Sequence, residues 1–226
     1  MLQCGTETGE EMCEWLPRST LESLAELNEE SLELLAAQAE HSPADLALQH
    51  VAQRWHALDA AARRRAGASP YLLLDADFAD PARWTVTSAG AALHPFFGVA
   101  AAQPLAQAIF AFAWHLSRSQ PAAARLLLGL PASGAARLAA STLREVRALA
   151  LAHQGRLRPR WWQRPAFWRA LLGAAAGEDA ALLQRVRTHG QTLLAAGLHR
   201  APVRAVQRPA ATADERALCP AAPSAA

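Results

Sequence analysis

Apolar residues recur at helical spacing over most of this chain. Ser19 and Glu22 form a capping-box pattern ahead of the stripe Leu21, Leu24, Leu27/Asn28, Leu32 and Leu35, which predicts a helix to about Glu40. Ser42-Pro43 reads as a second start, with Leu48, Val51, Trp55, Leu58 and Ala62 at helical spacing up to Gly67. Residues 19–67 are therefore expected to form an acidic helical hairpin. Between 68 and 104 the pattern changes. Pro70, Pro81, Pro95 and Pro104 cut it into short apolar pieces such as Tyr71 to Leu74, as in a proline-interrupted linker.

From Leu105 the helical period returns and predicts a basic helical domain over 105–200. It comprises a helix with Ile109, Phe112/Ala113 and Leu116 inward, a short unit from Ala122 to Leu130, and a long helix over 134–152. After a basic loop from Gln154 to Pro165 come a short helix around Phe167 to Leu172 and a last one from Asp179 to Ala196. The last has Leu182/Leu183, Val186 and Leu193/Leu194 inward and Gly197 past its end. Residues 1–18 and 201–226 lack periodicity and are expected to be disordered. The predicted class is all-α: an irregular helical bundle with a proline-interrupted middle segment and disordered termini.

Composition fits that picture. With 226 residues and 52% hydrophobic side chains, the chain is long enough to bury a core without staples. Its three cysteines, Cys4, Cys13 and Cys219, show no metal-ligand spacing and indicate no disulfide framework. Glu7, Glu10, Glu11 and Glu14 stand where an export signal needs basic and apolar residues, so a cytoplasmic location is expected. Residues 91–116 carry no charge, but Pro95, Pro104, Gln103, Gln107 and His94 interrupt them, which suits a buried core helix better than a membrane span.

Charge is unevenly placed. All 22 basic residues are arginine; residues 1–45 hold eleven acids against Arg18, whereas residues 120–208 hold fourteen arginines against Glu145, Glu178 and Asp179. Such asymmetry points to a polyanionic partner, or to attraction between the two halves or between copies of the chain.

Catalytic motifs are scarce. Leu72 to Leu74 followed by Asp75-Ala76-Asp77 is similar to the nucleophile strand of haloacid-dehalogenase-type phosphatases, but Phe78 and Ala79 break the pattern and no lysine is present. Asp75 and Asp77 then read as turn and cap residues. No two of the eight histidines lie at i, i+4, so no metal site, cofactor or small-molecule substrate is indicated, and the chain is not expected to be an enzyme. The strongest lead is a mixture of cations and indoles. Arg156, Arg158, Arg160, Arg164 and Arg169 interleave with Trp161, Trp162 and Trp168, and Arg137, Arg144 and Arg147 share one side of the 134–152 helix. Guanidinium groups so placed suit phosphates, and indoles suit sugars or bases. The plainer alternative is a solvated charged face with tryptophans anchoring a loop to the core.

In residues 105–162 an apolar helix leads through Ala122 to Arg125 into Leu128-Gly129-Leu130 and the turn Pro131-Ala132-Ser133. Ala135 to Ala139, Ser141-Thr142-Leu143, Val146, Leu149-Ala150 and Leu157 to Trp161 follow. This order resembles the flagellar transcriptional regulator FlhD family. The resemblance implies a helical DNA-binding regulator that works as an oligomer with a partner subunit, with Arg137, Arg144 and Arg147 facing duplex DNA and Arg158 and Arg160 on an adjoining arm. A register with Gly129 at the turn places Arg125 where close helix approach calls for a small residue. The other expectation is a protein-interaction or assembly subunit of a bacterial machine, with the acidic helices as docking surface. One contiguous exposed face of Arg137, Arg144, Arg158 and Arg160 would favour DNA, whereas the same arginines scattered and paired with Glu29, Glu30 and Glu33 would favour assembly.

Overall fold

The computed structural model describes residues 16–39, 46–80, 95–177 and 179–200. Among them the fold is all-α. In chain order the helices are α1 (Arg18–Ala39), α2 (Leu46–His56), α3 (Ala60–Gly67), α4 (Val99–Ser119), α5 (Pro121–Leu128), α6 (Ala132–Ala140), α7 (Leu143–His153), α8 (Pro165–Ala176) and α9 (Ala180–Arg200). A 3-10 turn spans Gln154–Arg156, and the strands β1 (Leu74–Asp75) and β2 (Arg158–Pro159) pair antiparallel.

α4 is the central helix. Its apolar side, Ala102, Leu105, Ala106, Ile109, Phe110, Ala113 and Leu116, is buried, and α1, α5, α6 and α7 pack against it. By length and composition α4 alone among the described residues is apolar enough to cross a membrane. α1 contributes Leu24, Leu27, Leu32 and Leu35 to the same core, as its stripe predicts. α8 adds Phe167, Trp168, Leu171 and Leu172 between α2, α3 and α9.

Several expectations are corrected. The second hairpin helix is two, because the chain turns at 57–59 and Asp59 caps α3 by accepting the Ala62 amide at 2.7 Å. The predicted start at Ser42-Pro43 and residues 81–94 of the middle segment lie outside the described residues, as do 1–15 and 201–226. The described part of the middle segment is no linker: Tyr71, Leu72, Leu73, Leu74, Ala76 and Phe78 are fully buried. α4 begins at Val99 and runs through the exposed Pro104, rather than starting at Leu105. The long 134–152 helix is α6 and α7, separated at Ser141-Thr142. Thr142 accepts the Glu145 amide at 3.3 Å while Glu145 accepts the Thr142 amide at 2.7 Å, a capping box that starts a new helix. The break also turns Leu143 outward, and on α9 Leu182 is exposed beside the buried Leu183.

A non-helical segment crossing the core must find partners for its backbone groups. Asn28, buried on α1, does much of this for residues 67–73. Its Nδ2 donates to the carbonyls of Gly67, Ser69 and Tyr71, and its Oδ1 accepts the Leu73 amide at 2.8 Å.

Candidate nucleic-acid interface

The predicted arginine and tryptophan positions divide into two groups, one inside and one outside. The inner group begins with Arg160, which is 7% exposed. Its Nε donates to the Leu72 carbonyl at 2.8 Å, and its Nη2 to those of Leu74 at 3.3 Å and Leu128 at 2.9 Å. The Arg160 amide donates to the Leu73 carbonyl at 2.8 Å. One side chain thus ties the buried 72–74 segment to the end of α5. Burial pulls its guanidinium below the ordinary arginine value, and the charge of Asp75 opposes the shift. This corrects the expectation that Arg160 meets phosphate.

The neighbouring indoles are likewise built in. Trp161 has φ 53°, a left-handed conformation unusual for a bulky residue, held by a tight turn in which the Arg164 amide donates to the Trp161 carbonyl at 2.7 Å. Its ring meets Tyr71 and Phe167 edge-on, with centroids 5.4 and 4.5 Å away. Trp162 is partly buried against the core. Trp168 is fully buried, donates Nε1 to the Arg160 carbonyl at 2.8 Å, and meets Trp55 edge-on at 5.2 Å. Trp161, packed against Tyr71 and Phe167, presents no open stacking platform.

Arg156 and Arg158 are half-buried and serve the β1 end. Arg158 Nη2 donates to Asp77 Oδ1 and lies 3.9 Å from Asp75, and Arg156 Nη1 reaches Asp77 Oδ2 at 3.5 Å. Asp77 has φ 57°, which aspartate tolerates, and Asp75 Oδ1 accepts the Phe78 amide at 3.2 Å. The paired aspartates therefore act as turn residues with arginine counterions. Glu33 of α1 takes Arg63 of α3, not one of these arginines. Beside the pair lies His153, fully buried, with neither ring nitrogen hydrogen-bonded. Burial lowers its pKa, Arg156 and Arg137 lower it further, and Asp77 pulls it back. Among the described residues no group of three or more His, Cys, Asp or Glu could hold a metal ion.

Of the outer group, Arg164 and Arg169 are exposed at the N-cap of α8 and on it, and the rest lies on α4 to α7. α5 and α6 are consecutive helices joined by the turn at Gly129 to Pro131, with Gly129 at φ 71°. A Cβ there would lie 2.8 Å from Leu194 Cδ1, so only glycine suits the turn. Ala123 and Ala124 form the buried side of α5 and Arg125 points to solvent, which answers the expected crowding at that position. Arg137, Arg144 and Arg147 are exposed, as is Arg118 at the end of α4.

Contacts tie Arg118 and Arg137 to the α6–α7 corner. The Arg118 guanidinium stacks over the Trp114 ring at 5.0 Å, Trp114 Nε1 donates to the Ser141 carbonyl at 2.8 Å, and Ser141 Oγ donates to the Arg137 carbonyl at 2.9 Å. Arg144 sits in the first turn of α7, and Arg147 lies three residues on along the same side. Over residues 95–177 Glu145 is the sole acid against ten arginines.

Sequence reasoning missed three features. Asn28 stood on an apolar stripe, which was a legible sign of a buried polar staple. Gly190, mid-way along a helical pattern, marks the close approach of Tyr71 to α9. The third, a leucine-lined cavity between α1, α5 and α9, has no local sequence signal. No family model matches the chain, nor does any curated protein or solved structure.

Proposed function

We propose that this chain is a DNA-associated transcriptional regulator of FlhD-like type. Its contact surface is the arginine corner of α6 and α7, formed by Arg137, Arg144 and Arg147 with Arg118 beside them. The observation that carries this reading is the exposure of these four arginines on and around α6 and α7 in a stretch with a single acid. Guanidinium groups so arranged give phosphate contacts that are strong at low salt and indifferent to sequence. Arg156, Arg158 and Arg160 are engaged with residues 72–77 and Leu128, and Trp161 with Tyr71 and Phe167, so they form no part of this surface.

The test is fluorescence anisotropy of labelled duplex DNA with the full chain across a salt series. Four phosphate contacts correspond to a log K against log salt slope of roughly −3.6. Absence of binding at low salt would overturn the proposal.

A second reading, a protein-interaction or assembly subunit, is favoured by α1, which exposes Glu22, Glu26, Glu30 and Glu33. Its acidic side is complementary to the arginine corner of a second copy. Light scattering without DNA distinguishes the two: salt-sensitive self-association together with no DNA binding selects the assembly reading.

A further inference from the structure

α1, α5 and α9 do not close against one another. They leave a cavity of about 440 Å³, within the size range of small-molecule sites. Leu16 and Leu21 form one wall, Leu126 and Leu127 of α5 another, and Leu194 of α9 a third. Among the described residues that line it, Arg187 is the one charged side chain.

Arg187 is poorly neutralised. It is half-buried; its Nη2 donates to the Arg65 carbonyl at 2.6 Å, while its Nε is buried without a hydrogen-bond partner. A guanidinium offers five donors in a planar fork that fits a carboxylate. Burial lowers its basicity, opposed only by Tyr71, so an incoming negative charge would meet a cation with little competing solvation. Apart from Gln184, Gln191 and Thr192 the walls are aliphatic, which favours a flexible hydrocarbon chain over a stacking ring.

We propose that this cavity binds a small amphipathic anion, an aliphatic carboxylate of medium chain length, with its headgroup on Arg187 and its tail among the leucines. The site is separate from the arginine corner and does not depend on the DNA-binding proposal.

The test is isothermal titration calorimetry of the full chain with sodium decanoate below its micellar range, with 1-decanol as the uncharged control. Decanoate should bind saturably at a single site and more tightly than decanol. Arg187→Gln should weaken decanoate about tenfold or more and leave decanol unchanged, as expected for loss of a charged hydrogen bond. Thr192→Trp, which fills the cavity from an exposed lining position, should abolish both. Because Arg187 also holds the Arg65 carbonyl, circular dichroism and melting accompany each variant. If Arg187→Gln fails to fold, the wild type and Thr192→Trp decide alone. No binding, non-saturating uptake, equal affinity for decanol, or binding unaffected by Thr192→Trp would each overturn the proposal.

Discussion

Arg160 and Arg144 belong to one basic stretch, the first in the turn after β2 and the second in the first turn of α7, and the fold uses them in opposite ways. Arg160 is enclosed and gives its donors to backbone carbonyls of Leu72, Leu74 and Leu128. Arg144 is exposed on a helix whose cap is already satisfied by Thr142 and Glu145. The difference lies in what each side chain faces. Residues 71–78 cross the core without forming a helix, so their carbonyls require donors from elsewhere, and the 158–162 arm is where such a donor can enter. A regular helix such as α7 satisfies its own backbone and leaves its arginines to solvent. Charge density in a sequence therefore identifies a binding face only where the underlying backbone makes no claim on the charges.

Replacing the buried arginine should produce the largest effect. Arg160→Met leaves several buried carbonyls without donors and is expected to destabilise the fold by about 3 kcal/mol, measured by urea denaturation. A loss below about 0.5 kcal/mol, the range of ordinary surface changes, would erase the distinction from Arg144.

Gly190→Ala comes next, since the added methyl would overlap the Tyr71 hydroxyl. We expect a loss of about 1–3 kcal/mol from overpacking, partly recovered in the Tyr71→Phe background. Failure of that background to help would mean that the tight contact is relieved some other way.

A pH effect should follow from His153. Its folded pKa lies below its ordinary value of 6.5, so the unfolded chain takes up its proton first as pH falls. The stability that the neutral ring contributes is complete above 6.5 and is lost as pH drops through the folded value. His153→Leu should flatten that part of the stability–pH curve; an unchanged curve would show that the ring takes up its proton equally in the folded and unfolded states. Arg144→Ala should be the mildest change, altering stability by less than about 0.5 kcal/mol.

Much of the helical framework is legible from spacing alone. Leu24, Leu27, Leu32 and Leu35 of α1, and Leu105, Ile109, Ala113 and Leu116 of α4, are buried as their stripes require. The split between α6 and α7 was also written locally, in Thr142-x-x-Glu145, but the apolar period continues across it and masks the cap. Burial of the arm was not legible. Arg160 meets its carbonyl acceptors at sequence separations of 32, 86 and 88 residues, and no local pattern encodes partners so distant. The prolines around residues 71–78 signalled irregular backbone correctly, yet gave no sign that the segment lies inside the core.

The most direct test of the two arginine populations is a salt titration of duplex-DNA binding by the wild type and by Arg137→Ala/Arg144→Ala/Arg147→Ala. The triple variant should fold as the wild type does, bind more weakly at low salt, and lose roughly one unit of log–log slope per arginine removed. An unchanged affinity and slope in the folded triple variant would contradict the assignment of DNA contact to the α6–α7 corner.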